Sequence, residues 1–201
     1  MLTVIDIKVG NIGSLINTLD FLNLEYQVID DIAEFKNVDR IILPGVGSFK
    51  SASLQLQKTG FIDVIRKAVL DKNIPILGIC VGMQLLASTG FEGGESSGLN
   101  LIDADVIKIK SNDDLRVPHM GWNNIDMKSH MIFDSLKSTD CFYFVHSYEM
   151  RLNEVVEHSL VDYGSGIVAY VNKGNIHGVQ FHPEKSQLSG LTVIRNFVEK
   201  C

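Results

Sequence analysis

Cysteine is scarce in this chain, which has only Cys80, Cys141 and Cys201 among its 201 residues. The number is odd, and no two of these cysteines are separated by the short spacing of a zinc-binding or redox pair. The sequence therefore predicts neither a disulfide framework nor a zinc site. Unpaired, reduced thiols are typical of cytoplasmic proteins, and we expect this protein to be cytoplasmic.

Runs of lysine and arginine are also absent, and 18 basic against 24 acidic residues give a formal net charge of −6. A nucleic-acid-binding surface concentrates positive charge, so no nucleic-acid partner is expected. The most apolar window, residues 74–87, is interrupted by Pro75, Gly78 and Gly82 and is too short to cross a bilayer core of ~30 Å. The first residues lack a basic segment followed by an apolar one, so neither a secretory signal nor a membrane partner is predicted.

Clusters of metal ligands and glycine-rich phosphate loops are missing as well, so no metal and no cofactor are expected. Two acidic stretches, residues 92–95 and 113–114, fall between predicted elements and are interpreted as solvated loops. Hydrophobic residues make up 45% and charged residues 21%, which is the balance of an ordinary globular protein. The composition does not shift along the chain, and we predict a single domain over residues 1–201.

The order of the predicted elements indicates the fold class. The first half alternates short apolar runs with patterns of helical spacing, as in a parallel sheet with helices on both faces. The second half contains short strands joined by tight turns, which favours an antiparallel edge. We predict an α/β protein with a mostly parallel central sheet, helices on both faces and an antiparallel edge. The predicted strands are 2–5, 26–29, 40–43, 74–77, 106–109, 123–127, 142–145, 155–161, 167–171 and 176–181. The predicted helices are 11–22, 51–56, 61–70, 81–88 and 191–199.

A candidate nucleophile lies where the fourth predicted strand meets a helix, in the segment Gly78-Ile79-Cys80-Val81-Gly82. A nucleophile between two spaced glycines at a sharp strand–helix turn is typical of a nucleophile elbow. Side chains at the glycine positions would collide with the neighbouring strand or helix. The turn would present the thiol at the carboxyl edge of the sheet, where ligands bind in open α/β folds. The start of the helix would favour the thiolate over the thiol.

A thiolate that performs acyl transfer needs a general base, and the base needs an orienting group. His182 follows an apolar run and is part of His182-Pro183-Glu184. Pro183 stiffens this link, so the carboxylate of Glu184 can return to the imidazole two residues earlier. His119 and His146 are alternative bases, but neither has a carboxylate at a comparable position. The pattern therefore predicts a Cys80–His182–Glu184 triad.

These segments resemble the class I (triad) glutamine amidotransferases, which have a flavodoxin-like fold. The resemblance rests on Gly-Ile-Cys-Val-Gly-Met-Gln at 78–84 and His-Pro-Glu-Lys-Ser at 182–186. Three further segments, Pro-Gly-Val-Gly at 44–47, Pro-His-Met-Gly-Trp-Asn at 118–123 and Phe-Val-His-Ser-Tyr at 144–148, narrow it. Together they are similar to the glutaminase subunits of imidazole glycerol phosphate synthases, enzymes of histidine biosynthesis. The resemblance extends over nearly the whole chain.

The resemblance implies a role for each matching residue. Cys80 would attack the side-chain amide of L-glutamine, His182 would protonate the departing amine and then activate water, and Glu184 would hold the imidazole. Backbone N–H groups of Val81 and Val46 would form an oxyanion hole. The implied glutamine-binding residues are Gly45, Gly47, Gln84, Ser147 and Tyr148.

The resemblance also implies a partner. Subunits of this family form a heterodimer with a (β/α)8-barrel cyclase and pass ammonia to it through an internal channel. Glutaminase activity without the partner is expected to be low. The residues that match partner-facing segments are Pro118, His119, Met120, Trp122, Asn123 and Lys185.

Three alternatives remain open at this stage. The loop Lys8-Val9-Gly10-Asn11-Ile12-Gly13-Ser14 departs from the histidine enzymes and resembles a paralogous branch. Members of that branch supply ammonia for the amination of a surface-polysaccharide sugar. A stand-alone γ-glutamyl hydrolase on the same fold is a second alternative, but it would need no docking segment. A non-catalytic scaffold is a third, which the complete triad disfavours.

Overall fold

The computed structural model describes residues 1–111 and 115–201 of the chain. The solvated loop predicted at 113–114 lies outside the described residues. The strands, in chain order, are β1 (Leu2–Ile5), β2 (Tyr26–Ile29), β3 (Arg40–Gly45), β4 (Ile76–Cys80), β5 (Ala87–Gly90), β6 (Ser96–Ser97), β7 (Ile102–Lys108), β8 (His119–Asn124), β9 (Cys141–His146), β10 (Tyr148–Leu152), β11 (Glu157–Val161), β12 (Ile167–Lys173) and β13 (Ile176–Val179). The α-helices are α1 (Gly13–Phe21), α2 (Phe49–Thr59), α3 (Phe61–Arg66), α4 (Val81–Gln84) and α5 (Gln187–Lys200). Short 3₁₀ or π segments occupy Ile32–Glu34, Lys67–Asp71, Met131–Phe133 and Pro183–Lys185.

The central sheet has the strand order β11-β12-β13-β4-β3-β1-β2. Neighbours from β13 to β2 pair in parallel, whereas β12 pairs antiparallel with both β11 and β13. The strand β4 is buried along its whole length, as expected for a strand covered on both faces. The predicted mostly parallel sheet with an antiparallel edge is confirmed.

Helices cover both faces of this sheet because of the order in which the strands are connected. The connection from β1 to β2 runs towards one edge, and the connection from β3 to β4 runs towards the other. Parallel crossovers are right-handed, so α1 and the α2–α3 pair lie on opposite faces. Consistently, α1 and α5 both contact the 3₁₀ turn Pro183–Lys185, while α2 contacts α3 and α4. The prediction of helices on both faces is confirmed.

Two smaller sheets lie beside the central one, with the order β10-β7-β5-β6 and a β8–β9 ribbon. The strands β5, β6 and β10 were not predicted from the sequence. The strand predicted at 123–127 is wrong in position, since β8 runs from His119 to Asn124. None of the helices in the described ranges 1–111 and 115–201 is long and apolar enough to cross a membrane.

The helix predicted at 81–88 is also too long, because α4 ends at Gln84. Beyond it, the carbonyl groups of Leu85, Leu86 and Ala87 accept hydrogen bonds from the backbone N–H groups of residues 99–102. These long-range partners draw the chain out of the helix and into β5. An apolar run of this length is ambiguous between helix and strand, so its spacing could not reveal the change.

The functional residues collect at one edge of the central sheet. Gly45 at the end of β3 is in register with Cys80 at the end of β4. The neighbouring parallel strand β13 ends at Val179 and leads within three residues to His182. The carboxyl ends of adjacent parallel strands thus bring these residues to a common crevice, the usual ligand-binding position in such sheets.

Candidate active site

Cys80 occupies a strained turn between β4 and α4. Its backbone has φ 53° and ψ −110°, a conformation that costs an L-residue energy and is found mostly at functional sites. A Cβ atom on Gly78 would lie 2.5 Å from the carbonyl oxygen of Gly82, and one on Gly82 would overlap the carbonyl of Leu43. The predicted need for glycine on both sides of the nucleophile therefore has a steric cause in the structure.

The helix that follows Cys80 is only four residues long. A helix macrodipole is the sum of aligned peptide dipoles, so a single turn contributes much less positive potential than the eight-residue helix predicted from the sequence. Stabilisation of a thiolate at this position must therefore come mainly from side chains around the sulfur.

His182 is held between the thiol and a carboxylate. Its Nδ1 is 2.7 Å from Oε1 of Glu184, which leaves Nε2 for the hydrogen bond to Cys80. Burial lowers the pKa of His182, but the hydrogen bonds to Cys80 and Glu184 outweigh burial, so its pKa lies above the ordinary value. The raised pKa favours an imidazolium beside a thiolate, which is the reactive form of a cysteine–histidine pair.

The turn that carries His182 is fixed by the ribbon. The backbone N–H of His182 donates to the carbonyl of Tyr143 in β9, at 2.9 Å, and the N–H of Tyr143 donates to Oγ of Ser186, at 2.9 Å. Ser186 in turn donates to the carbonyl of His182 at 2.6 Å. Strand β9 and the catalytic turn therefore form one hydrogen-bonded unit.

A cavity of about 550 Å³ opens above the three residues. It brings together most of the residues that the sequence assigned to chemistry or to glutamine binding. Gly45 lies behind the cavity, where a Cβ atom on it would meet Val81 and Gly82. Gly47, which has a φ of +97°, forms part of the cavity wall. The sequence-predicted residues that line it are Val46, Gly47, Cys80, Val81, Gln84, Pro118, Ser147, Tyr148, His182, Glu184 and Lys185.

Other residues of the cavity were not assigned to the site from the sequence. Asn11 and Ser14 belong to the N-terminal loop that departs from the histidine enzymes, and Val145 and His146 belong to the segment Phe-Val-His-Ser-Tyr at 144–148. Glu92 was interpreted as part of a solvated loop, yet its carboxylate accepts a 2.6 Å hydrogen bond from the N–H of Phe49 at the start of α2. No local spacing would have indicated that contact, which joins residues 43 positions apart.

The side chains of strand β8 alternate between its two sides, so the predicted partner-facing residues do not all point outward. Met120 and Trp122 project outward and are 60% and 46% exposed. Trp122 packs edge-on against Tyr143, and Nζ of Lys185 lies 6.0 Å from the centre of the same ring. His119 points the other way and is fully buried, so its side chain cannot form part of an exposed surface, and the expectation that it faces a partner is corrected.

His119 instead belongs to a chain of buried hydrogen bonds. The carbonyl of Tyr148 can only accept, so Nδ1 of His146, 2.9 Å away, carries the proton and Nε2 of His146 is an acceptor. His119 must then donate from Nδ1 to His146 at 2.9 Å, and its Nε2 accepts from Nδ2 of Asn123 at 2.7 Å. Burial lowers the pKa of both histidines, so both imidazoles are neutral at neutral pH, and these contacts then assign their tautomers.

Buried neutral histidines predict sensitivity to acid. Burial lowers the pKa of His119 and of His146 to about 4 and that of His177 to about 3, whereas an unfolded histidine titrates near 6.5. Below 6.5 the unfolded chain binds more protons than the folded one, so the free energy of unfolding falls as the pH drops towards 4. Each such histidine contributes about 3 kcal/mol to this loss.

His177 allows a test away from the catalytic residues, since it contacts Tyr170 and Asn172 instead. We expect His177→Gln to lower stability at neutral pH but to flatten the decline between pH 7 and pH 4, as measured by urea unfolding at a series of pH values. His158→Gln, which removes a partly buried histidine from strand β11, serves as the control variant. Parallel curves for His177→Gln and the natural protein would contradict the assignment.

Comparison with known proteins agrees with this geometry. The family model of class-I glutamine amidotransferases matches residues 3–201. A Campylobacter jejuni protein named imidazole glycerol phosphate synthase subunit HisH 1 is 37% identical over 98% of this chain and 99% of its own. A Caldanaerobacter subterraneus protein named imidazole glycerol phosphate synthase subunit HisH is 40% identical over the full length of both. The HisH 2 protein of Pseudomonas aeruginosa is 39% identical over 99% of each chain.

Solved structures show the same fold at lower identity. A crystal structure of a glutamine amidotransferase matches with a TM-score of 0.75 at 20% identity, covering 98% of this chain and 97% of that one. The structure of PurLQS from Thermotoga maritima matches with a TM-score of 0.74 at 16% identity, covering 98% and 96%. By the family match over nearly its whole length and by its full-length relatives, the chain belongs to the class-I glutamine amidotransferases.

Proposed function

We propose that this chain is the glutaminase subunit of an imidazole glycerol phosphate synthase, in which Cys80, His182 and Glu184 hydrolyse L-glutamine. The observation that carries the proposal is the triad itself. A strained cysteine faces a histidine of raised pKa, whose other nitrogen is 2.7 Å from the carboxylate of Glu184, at the base of a cavity large enough for an amino acid.

The reaction follows from these positions. The sulfur of Cys80 attacks the side-chain carbonyl carbon of glutamine, and the C–N bond breaks as the imidazolium of His182 gives its proton to the departing amine. Ammonia leaves, and a γ-glutamyl thioester remains on Cys80. His182, now neutral, takes a proton from water, the resulting hydroxide attacks the thioester, and the C–S bond breaks to release glutamate and the thiolate.

The surrounding residues fit the roles implied by the family resemblance. We assign the oxyanion hole to the backbone N–H groups of Val81 and Val46, two residues that line the same cavity as Cys80. Such donors are worth roughly 3–4 kcal/mol each when they point at the developing charge. The proposed glutamine-binding residues are Gly47, Gln84 and the backbone of Ser147 and Tyr148, which line the cavity, while Gly45 supports the wall from behind.

We assign the surface around strand β8 to a (β/α)8-barrel cyclase partner that receives the ammonia. The exposed side chains of Met120 and Trp122 are apolar, and Lys185 lies beside the cavity, so a partner seated there would cover its mouth. Pro118 lines the cavity and Asn123 ends the buried chain of histidines, and both belong to this proposed interface. His119 supports the strand from beneath.

The proposal is favoured over the three alternatives. Relatives that are 37–41% identical over nearly the full chain are named as synthase subunits of this kind, which supports the histidine enzyme over the polysaccharide branch. An exposed tryptophan and methionine on strand β8 favour a docking subunit over a stand-alone hydrolase. The complete triad disfavours a scaffold. A single domain over residues 1–201 and a cytoplasmic location stay predictions.

Ammonia release provides the test. We expect the isolated chain to hydrolyse glutamine slowly. The co-purified complex with its barrel partner, supplied with the nucleotide ligand of that partner, should do so at least ~10-fold faster, a coupling of ordinary size. Ammonia should be quantified with and without glutamine, and the cyclised product should appear only when glutamine or added ammonium is present.

The matched variants concern the proposed interface. Trp122→Ala should weaken the complex and reduce the stimulation, whereas Phe21→Ala, which removes an aromatic side chain that is 70% exposed at the end of α1, should change neither. Rapid hydrolysis of γ-glutamyl peptides by the isolated chain would support the stand-alone hydrolase instead. Amination of a sugar, but not of the histidine-pathway nucleotide, would assign the chain to the polysaccharide branch.

A further inference from the structure

Gln180 is a buried amide that the triad does not account for. It lies between the end of β13 and His182 and is completely inaccessible to solvent. Its backbone N–H is bound to the carbonyl of Ala169 at 2.9 Å, so the residue is anchored to the central sheet. Its side-chain Nε2 lies 3.7 Å from Sγ of Cys80, which is within hydrogen-bonding distance for an atom as large as sulfur.

The orientation of this amide follows from its neighbours. The carbonyl of Tyr148 can only accept, so the group of Gln84 that faces it at 3.1 Å is the NH₂. That same NH₂ lies 2.9 Å from the side chain of Gln180, and it therefore faces the oxygen Oε1. With Oε1 turned to Gln84, the NH₂ group of Gln180 points at the sulfur. If the amide of Gln180 were rotated by half a turn, its NH₂ group would face the NH₂ group of Gln84, and two donors would meet without an acceptor.

We propose that Gln180 is a further catalytic residue, which donates a hydrogen bond from Nε2 to Sγ of Cys80 and stabilises the sulfur as an anion. The inference rests on the proposed function, because it concerns the same nucleophile. It also supplies what the four-residue helix α4 does not, namely a donor aimed directly at the thiolate. A hydrogen bond to a charged group is stronger than one between neutral groups, particularly where water is excluded.

The donor acts at two points of the reaction. Before attack it holds the negative charge on Cys80 and fixes the direction of the sulfur. While the thioester exists, the sulfur is nearly neutral and the hydrogen bond is weak. When water adds and the C–S bond breaks, the sulfur takes the bonding electrons, and Gln180 again stabilises the departing thiolate. Breakdown of the γ-glutamyl thioester should therefore depend on Gln180 as much as its formation does.

The hydrogen bonds that end at Cys80 also connect to the buried histidines. The carbonyl oxygen of Tyr148 accepts from both His146 and Gln84, so it links the hydrogen bonds that begin at Asn123 to those that end at Cys80.

The test is alkylation of Cys80, which requires neither glutamine nor a partner. Iodoacetamide labelling of the Cys80 peptide, followed by mass spectrometry over a range of pH, gives the midpoint at which the sulfur becomes reactive. We expect Gln180→Met, which keeps the volume and removes the donor, to raise the midpoint by about one unit, the value of one charge-assisted hydrogen bond. Gln180→Glu, of the same shape but negatively charged, should raise it further.

The rate at high pH separates a lost donor from a damaged site. A thiolate without its hydrogen bond is the stronger nucleophile, so the limiting alkylation rate of Gln180→Met should equal or exceed that of the natural protein. Steady-state glutamine hydrolysis should fall about 10-fold in kcat with little change in KM, since the donor contacts the sulfur and not the glutamine.

Asn172 offers the matched control. It is a buried amide on strand β12, bound to the carbonyls of Gly174 and Ile176 and not to the sulfur. Asn172→Leu should lower the melting temperature and leave the alkylation midpoint where it is. Equal midpoints for the natural protein, Gln180→Met and Gln180→Glu would overturn the proposal for Gln180. Alkylation does not depend on glutamine, so that result would not contradict the assignment of Cys80 as the nucleophile, which the Cys80→Ala variant tests separately.

Discussion

Replacement of Cys80 by alanine is expected to abolish glutamine hydrolysis, with a loss in kcat on the order of 10⁶-fold, as found when a nucleophile is removed from a triad. The physical reason is that the sulfur of Cys80 is the atom that forms the acyl intermediate. His182 and Glu184 would remain 2.7 Å apart, but without the sulfur they have no atom to activate for attack on the amide carbon. Ammonia release from the purified complex measures the effect.

The surface cysteine provides the control for this variant. Cys141 is exposed at the start of β9, and within the described residues its thiol is hydrogen-bonded only to the carbonyl of Thr139, so Cys141→Ala should retain full activity. The Cys80→Ala complex should still form product from added ammonium, because the cyclase reaction needs only the ammonia. Retention of glutamine-dependent activity by Cys80→Ala would show that the nucleophile has been assigned to the wrong residue.

The triad could be predicted from the sequence because each of its parts is local. Two glycines spaced around Cys80 determine a sharp turn, and Pro183 returns Glu184 to His182 within three residues. The central sheet was predictable for a related reason, since buried parallel strands such as β4 are short apolar runs and the connecting helices repeat at 3.6 residues. In both cases the information lies within a few neighbouring positions.

The parts that could not be predicted depend on residues far apart in the chain. The donor from Gln180 to Cys80 joins positions 100 residues apart, and the pair His119–His146 joins positions 27 apart. Neither leaves a periodic pattern. The resemblance to a family placed His119 in a segment that faces a partner, but only the pleat of strand β8 decides which side chains of the segment point outward.

The short helix α4 illustrates the same limit. Residues 85–87 extend an apolar run that is ambiguous between helix and strand, but the carbonyls of residues 85–88 accept hydrogen bonds from backbone N–H groups of residues 98–102, and the chain becomes a strand. The consequence is chemical as well as structural. A long helix would have supplied positive potential to the thiolate, and its absence moves that task to side chains such as His182 and Gln180.

The second large effect is expected from replacing Gly82, two residues after the nucleophile. Gly82→Ala is expected to destabilise the protein by about 4 kcal/mol or more, which is enough to unfold many domains of this size. The added Cβ would overlap the carbonyl of Leu43 in the middle of β3, an atom that cannot move without shifting the central sheet. Thermal or urea unfolding monitored by circular dichroism measures the loss, and activity should disappear together with the folded state.

Gly174→Ala is the control variant, because it measures the ordinary cost of replacing a glycine where no clash occurs. It lies at φ +63° in the turn between β12 and β13, where an added Cβ would meet no described atom within 4 Å. Gly174→Ala should therefore cost only the roughly 1–2 kcal/mol of left-handed backbone strain. The Cβ added by Gly82→Ala would press on β3, the strand that precedes Val46 of the proposed oxyanion hole. Any Gly82→Ala protein that stays folded should therefore have a displaced Val46 and little glutaminase activity. Equal stabilities for the two variants, or a fully active Gly82→Ala protein, would show that the elbow does not need the close approach of α4 to β3.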